Sequence, residues 1–425
     1  MLAGAIFIYC CVTLTPFKGL GSAVPQLTAE NGSNTLNQIV AAGLFGSAFV
    51  LGLRGSMRPL LLRPLALLLS LLLWMLMVSA VAGDASFALR RLAMAFLICV
   101  GASVFLLLPR SEAQFARLLA LCNLIVLGLC YAGVVLVPRL SIHQDTDFLE
   151  PALAGDWRGM FDHKNSAAPA MVVLIFIGLY VAAARSRLLG WAIAALALLF
   201  LWKTGGKTAI GLLPFAVAVT WLLERARPLV RWIVVLVAVG GYGLLTLGTM
   251  VSEPLRQFVV ALGIDDSFTG RTDIWQIALD GIRSKPVFGY GYDSFWGTEN
   301  LVFGFREVTS WAVGAPAAHN SYLDVALSGG VVGLVLTLLW LVVLPTRDLS
   351  AATARNGRTP LTRLFTRIWI FCLLLGCMES FFLATNGGVW FCMMVAVFGL
   401  RLQARAMRRE AGSPSARVNS MPVPA

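Results

Sequence analysis

Three short stretches of this sequence hold residue types able to do chemistry. They are Ser267-Phe-Thr-Gly-Arg-Thr-Asp-Ile-Trp275, Phe288-Gly-Tyr-Gly-Tyr-Asp-Ser-Phe-Trp296 and Ala318-His-Asn-Ser-Tyr-Leu-Asp-Val-Ala-Leu-Ser-Gly-Gly-Val-Val-Gly333. In the first, Thr272 and Asp273 are helix-starting residues, and Ile274, Trp275, Ala278, Leu279 and Ile282 recur at helical spacing. That spacing predicts an amphipathic helix lying on the outer membrane face and stopped by Pro286. Arg271 stands at its N-terminus, where free N–H groups and the helix dipole favour an anion, and its planar fork suits phosphate oxygens. The same position also suits an arginine that snorkels to lipid headgroups. In the second stretch Tyr290, Tyr292 and Trp296 crowd between glycines. They offer either a stacking surface for sugar rings or a membrane-interface belt. In the third, His319, followed by Asn320, marks the point where a polar loop meets an apolar run. A histidine titrates near neutrality and is the natural general base; a satisfied interfacial ring is the competing explanation. Gly329 and Gly333 are four apart and permit close helix packing.

Other charged residues converge on the same face. Lys203-Thr-Gly-Gly-Lys207-Thr208 places two cations at the outer end of an apolar run. Its tail looks like that of a phosphate-binding P-loop, but Leu201 stands where the first glycine is required and no strand precedes it, so that motif is excluded. Segment 139–165 carries His143, Asp145, Asp147, Glu150, Asp156, Trp157, Arg158, Asp162, His163 and Lys164. Glu379 lies towards the outer end of the apolar run 366–384, and an intramembrane carboxylate is costly enough to count as a functional candidate. Apart from Asp145-Thr-Asp147, no HExxH, DxD or ligand cluster occurs in the polar loops, so no metal site is expected. The eight cysteines (Cys10, Cys11, Cys99, Cys122, Cys130, Cys372, Cys377 and Cys392) all fall inside apolar runs, without a zinc-spaced CxxC pair. They read as small buried apolar residues.

The elements that must position these residues are membrane helices. Hydrophobic residues make up 58% of the 425, and only 13% are charged, about half the share usual in soluble domains. Mean hydropathy is +0.81. An all-α bundle of about twelve spans is expected, at roughly 2–17, 36–53, 64–82, 92–108, 116–138, 166–184, 188–202, 208–223, 230–250, 320–344, 366–384 and 388–401. Span 188–202 is short and suits a tilted or partly re-entrant helix. The first span lacks a basic n-region and a clean cleavage site, so it is expected to stay in the membrane. Alternate connections hold 20 of the 33 Lys and Arg residues but only Glu112, Glu224, Asp348 and Glu410 among the acids. The positive-inside rule makes that side cytoplasmic, along with both termini. The net charge of +12 is therefore a matter of topology and no sign of nucleic-acid binding. Segments 139–165 and 251–319 then face outward as long loops of the kind that carry function. Residues 411–425 read as a disordered cytoplasmic tail.

In order and spacing, Phe161-Asp-His-Lys-Asn165 before a span, Lys207 opening another, Gly270-Arg271 with Trp275, the Gly289–Gly291 turn and His319-Asn320-Ser321-Tyr322 resemble the O-antigen ligase and polysaccharide polymerase superfamily. The resemblance runs from about residue 155 to 385. It divides the chain into N-terminal membrane helices over 1–138 and a ligase- or polymerase-like catalytic membrane domain over 139–410. It implies an inverting glycosyltransferase of the bacterial inner membrane, with neither metal nor cofactor. The donor would be a glycan on a polyprenyl diphosphate such as undecaprenyl diphosphate, and the acceptor a glycan or lipid A core on the periplasmic face. On that resemblance His319 deprotonates the acceptor hydroxyl and Arg271 holds the diphosphate. Lys207 falls where many members have Arg, and a lysine supplies charge without the fork. The other candidates for substrate contact are Lys203, Lys164, His163, Arg158, Tyr290, Tyr292, Trp296, Asn320 and Glu379. His163-Lys164-Asn165 leans towards the exopolysaccharide polymerase branch. A transporter or a lipid-linked glycan flippase is the alternative, but either would gather polar groups near the bilayer midplane or in a central cavity, and here they sit at the outer rim, with Glu379 the main exception.

Overall fold

The computed structural model describes residues 1–12, 14–19, 35–54, 58–65, 68–83, 85–147, 150–298, 312, 315–354, 359–385 and 387–412. Most of the tail expected to be disordered, and residues 299–311 of the long loop, lie outside the described residues. The protein is an all-α polytopic membrane protein. Its helices are α1 Leu2–Val12, α2 Thr35–Leu53, α3 Arg58–Leu65, α4 Leu69–Ala80, α5 Ala85–Leu107, α6 Glu112–Leu136, α7 Pro138–Ser141, α8 Lys164–Ala184, α9 Arg187–Lys203, α10 Lys207–Arg225, α11 Pro228–Leu247, α12 Glu253–Ala261, α13 Arg271–Ser284, α14 Ser321–Leu338, α15 Leu344–Ala352, α16 Pro360–Leu375 and α17 Gly388–Gly412. A helix occupies each of the twelve expected segments. Among the described residues, eight helices are long and apolar enough to cross a membrane, while Leu2–Val12 and Leu69–Ala80 are shorter apolar helices. Helices α9 and α16 have 17 and 16 residues, about 25 Å at 1.5 Å per residue, which is short of the ~30 Å hydrocarbon layer.

Local chemistry sets several helix starts. Ser111, Ser186 and Thr359 each accept a hydrogen bond from the amide three residues on, at the heads of α6, α9 and α16. The ring of His163 does the same for α8, accepting from Asn165 N at 3.1 Å. Among the eight helices long enough to cross a membrane, α8 is the most enclosed, with most of its residues buried. Phe7, Phe105, Phe115 and Phe391 pack edge-on or tilted with centroids 5.4–6.1 Å apart and tie α1, α5, α6 and α17 into one core.

Helix α14 is broken at Gly330, whose φ of 63° and ψ of −166° no helix contains. Four backbone groups that a continuous helix would pair internally find partners elsewhere. Leu327 O accepts from Tyr290 N at 2.8 Å, Ser328 O from Gly291 N at 3.0 Å and Gly329 O from the Trp74 indole at 2.8 Å. Val331 N donates to Pro286 O at 2.7 Å. A side chain at Gly330 would meet Val287 O at 2.0 Å, so the 286–291 segment enters the break only because this residue has none. Gly329 and Gly333 face Trp74 and Met75 of α4, a close approach of the kind small residues allow. Below the break, a π-turn over Leu339–Val343 leads into α15.

Two expectations are corrected by the fold. Helix α13 begins at Arg271, one residue before the Thr272–Asp273 pair, with Gly270 in the left-handed region (φ 79°) as its N-cap. Its apolar face does not lie on lipid. Ile274, Trp275, Ile277 and Ala278 are buried in a small second core with Phe295, Leu323, Leu327 and Met378, because α13 docks on the head of α14. The second correction concerns Glu379. Helix α16 ends at Leu375, so the expected span 366–384 stops short and Glu379 sits in the non-helical segment that follows. Ser321 fastens that segment to the head of α14: its amide donates to Gly376 O at 2.8 Å and its hydroxyl to Glu379 O at 2.6 Å.

Candidate functional site

His319 immediately precedes the N-cap of α14. Asn320 caps that helix by accepting from Tyr322 N and Leu323 N at 3.0 and 3.2 Å, and its amide group donates to Cys377 O at 3.0 Å. His319 itself is held at φ 49°, a sparsely populated conformation for a residue with a side chain. Nδ1 of His319 lies 3.4 Å from Glu379 Oε2, and Arg271 Nη2 donates to Glu379 Oε1 at 2.6 Å. Three residues far apart in sequence thus meet around one carboxylate. All three are partly reachable from outside, with side chains 11% (Arg271), 16% (Glu379) and 30% (His319) exposed.

A second carboxylate braces the site from behind. Asp324 accepts from the Trp296 indole at 2.8 Å, from Ala318 N at 3.0 Å and from the Ser380 hydroxyl. Ala318 precedes His319 and Ser380 follows Glu379, so one partly buried side chain fixes the backbone on both sides of the histidine–glutamate contact. The Trp275 indole donates to Ala318 O at 3.0 Å and locks α13, with Arg271 at its start, to the same turn.

This geometry has specific chemical capacities. A carboxylate beside Nδ1 of a histidine holds the proton there, leaving Nε2 as the basic nitrogen, and stabilises the imidazolium that forms when Nε2 takes a proton. Arg271 stands at a helix N-terminus, where its guanidinium and the free N–H groups together suit an anion such as a phosphate. Among the described residues no group of three or more His, Cys, Asp or Glu side chains converges in a metal-binding arrangement.

The remaining sequence candidates fall elsewhere. Lys164 pairs with Asp156 at 2.6 Å, and His163 with Glu150 at 2.7 Å. The hydrogen bond from His163 holds Glu150 below the usual carboxylate range. Arg158 is buried and donates through Nη1 to Lys18 O at 2.9 Å and Asp162 O at 3.0 Å, a contact that ties the 139–165 loop to the chain after α1. Lys203 lies over the Trp157 ring at 5.9 Å. Arg158, His163, Lys164 and Lys203 thus form a second cluster whose charges are largely engaged within the loop. Lys207 is exposed at the start of α10. It acts electrostatically on Asp265, whose carboxyl is held low chiefly by the Ser267 hydroxyl and by the amides of Thr269 and Ser267, with Lys207 adding to them. The two tyrosines pack inward. Tyr290 donates to Gly281 O at 3.2 Å and lies 4.9 Å from the Phe295 ring, while Tyr292 donates to Leu383 O.

Sequence reasoning passed over four residues at the site: Arg91, Asp293, Asp324 and Ser380. Asp324 and Asp293 stand inside the very stretches that carry His319 and the tyrosines. Their signal was an acidic residue one turn into an apolar helix and another in a glycine turn. Arg91 belongs to the Arg90-Arg91 pair at the mouth of a span and reads as an interfacial charge until Asp293 is seen to pair with it.

Residues 170–338 match a protein-family model described as O-antigen ligase. That range contains Lys203, Lys207, Arg271 and His319, while Glu379 and Arg91 lie outside it. A stretch of 89 residues is 32% identical to the exopolysaccharide production protein ExoQ of Rhizobium meliloti (strain 1021). The alignment covers 19% of this chain and 19% of that relative, about a fifth of each.

Proposed function

We propose that this chain, whose residues 170–338 match an O-antigen ligase family model, is a member of the O-antigen ligase and polysaccharide polymerase superfamily that transfers a polyprenyl-diphosphate-linked glycan to a sugar hydroxyl on the periplasmic face of a bacterial inner membrane. The observation that carries this reading is the meeting of Arg271, Glu379 and His319 around one carboxylate. His319 takes the proton of the acceptor hydroxyl through Nε2. The resulting oxygen attacks the anomeric carbon as the bond to the diphosphate oxygen breaks. The diphosphate leaves with growing negative charge, which the Arg271 fork and the first turn of α13 receive. Glu379 orients the imidazole and steadies its positive charge. A single displacement of this kind inverts the anomeric centre. With a guanidinium and a helix N-terminus to meet the leaving charge, the step needs no divalent metal.

Of the two superfamily activities, polymerisation has the better support. It rests on the similarity to a relative named for exopolysaccharide production and on His163-Lys164-Asn165. Lys164 is less available for a second lipid headgroup than its sequence suggests, since Asp156 holds it. Deleting the gene should leave single lipid-linked repeat units without long polymer. Full-length polymer on the polyprenyl carrier beside a bare lipid A core would favour the ligase instead.

The test of transfer itself is His319→Ala, made in cells and checked for normal membrane level. Loss of a general base lowers the rate by about 10²–10⁴. Near-normal glycan product from this variant would remove histidine from the mechanism and revive a transporter.

A further inference from the structure

Beside the histidine–glutamate pair lies a cleft of about 180 Å³, walled by Arg91, Asp293, Trp296, Asp324, Ser328 and Ser380. Its walls come from four parts of the chain: α5, the 292–296 turn, the head of α14 and the segment after α16. Arg91 and Asp293 form an ion pair at the mouth, with side chains 36% and 35% exposed. Asp293 is held at φ 53°, and its amide donates to the Ser328 hydroxyl at 3.4 Å. Burial pushes the Asp293 carboxyl up, and Arg91 draws it back down.

The cleft has a definite relation to the reacting groups. Glu379 and Ser380 are neighbours, but Glu379 turns to Arg271 and His319, and Ser380 turns to Asp324. The cleft adjoins Ser380 and Asp324, and Ala317, two residues before His319, is part of its wall. A sugar held there stands beside the turn that carries His319, the base of the proposed transfer.

We propose that the cleft seats a neutral sugar unit of the acceptor glycan, with Asp293 and Arg91 hydrogen-bonding its hydroxyls and the Trp296 ring packing against it. This rests on the transferase reading above. Carboxylates accept from sugar hydroxyls, a guanidinium donates to them, and an indole presents an apolar face to the ring. Two carboxylates against one guanidinium disfavour an anionic occupant, so phosphate and uronate groups are turned away. The volume is below that of pockets for drug-sized ligands, typically about 300–1,000 Å³, and suits a single ring.

Saturation-transfer NMR on the full chain in lipid nanodiscs tests this without any transfer reaction. The probes are the methyl glycosides of glucose and galactose and the corresponding methyl uronates. Saturation should pass to the neutral glycosides and be about tenfold weaker for the uronates. Asp293→Asn and Arg91→Gln should each weaken neutral binding by about tenfold, as expected for one hydrogen bond to a charged group. Equal saturation of neutral and anionic glycosides, none from neutral ones, or binding unchanged in both variants would overturn the proposal. Should a variant fail to fold, the neutral-against-uronate contrast in the unaltered protein decides. The cleft can fail this test while His319→Ala still abolishes transfer, and transfer can fail while the cleft still binds sugar.

Discussion

Glu379→Gln keeps the shape of the side chain and removes the charge that Arg271 and His319 share. Glu379 Oε2 stands 3.4 Å from His319 Nδ1. Two unit charges at that separation interact by about 5 kcal/mol at an effective dielectric of about 20, and by about 1 kcal/mol in water. The side chains are 16% and 30% exposed, and Arg271 competes for the same carboxylate at 2.6 Å. The lower part of the range therefore applies, about 2 kcal/mol after solvent screening. This stabilisation exists only once His319 has taken a proton, so its loss falls on the chemical step. The expected outcome is about a 30-fold drop in kcat with KM nearly unchanged. Initial rates of transfer, measured with purified protein in liposomes carrying the lipid-linked glycan, would show it. The double variant Glu379→Gln with Arg271→Ala should lose less than the product of the single losses, because the two side chains act through one contact. A Glu379→Gln rate within about twofold of the unaltered protein would refute the assignment of the carboxylate to proton transfer.

Arg271→Ala should lower transfer by about 10²–10³, the loss typical of a charge-stabilising donor; Arg271→Lys should rescue it in part, and Lys207→Arg should retain it, all read as product per unit of membrane protein. Transfer by purified protein should persist in excess EDTA, and activity lost on chelation and restored by magnesium would show a metal requirement. Single cysteines at Asp145 and Gly297 should be labelled from outside intact cells; a Gly297→Cys reachable only from the cytoplasm would place the site on the wrong face. His143 is buried, and burial, His163 and Arg158 together hold it below its ordinary value of 6.5. Its neutral form therefore stabilises the 139–165 loop above about pH 6.5, and that contribution fades as pH falls through this value. Hydrogen exchange of residues 141–164 should quicken on acidification, and a flat profile from about pH 7.5 to about pH 5.5 would contradict it.

The class of the fold was legible because hydropathy reports the solvent directly: every apolar run expected to be a span contains a helix. Arg271 and His319 were legible because each stands where a polar loop meets a periodic segment. Glu379 stands out in the sequence as a carboxylate in apolar company, but its place beyond the end of α16 does not. The run 366–384 reads as one helix by hydropathy, and only the bonds from Ser321 to Gly376 and Glu379 reveal that the chain stops and turns there. The amphipathic face of α13 is legible in the sequence but its partner is not, since periodicity says which side is apolar and never what covers it. The pairing of Arg91 with Asp293 was not legible, because a contact across some two hundred residues leaves no local trace.

The break at Gly330 bears on how the protein enters its membrane. A straight apolar helix can be released into lipid as a finished piece, every backbone group already paired. Helix α14 cannot. Three of its carbonyls and one amide pair with the 286–291 segment and Trp74, and each such group left alone in hydrocarbon costs several kcal/mol. Both partners are made earlier in synthesis than α14, so they are present when it emerges. Insertion of this span is then inseparable from its docking on α4 and on the returning loop. That docking also sets the head of α14, which carries Asn320 and stands directly after His319. The geometry around His319 is thus set as α14 settles against α4 and the 286–291 segment, and does not await a later rearrangement of the loop.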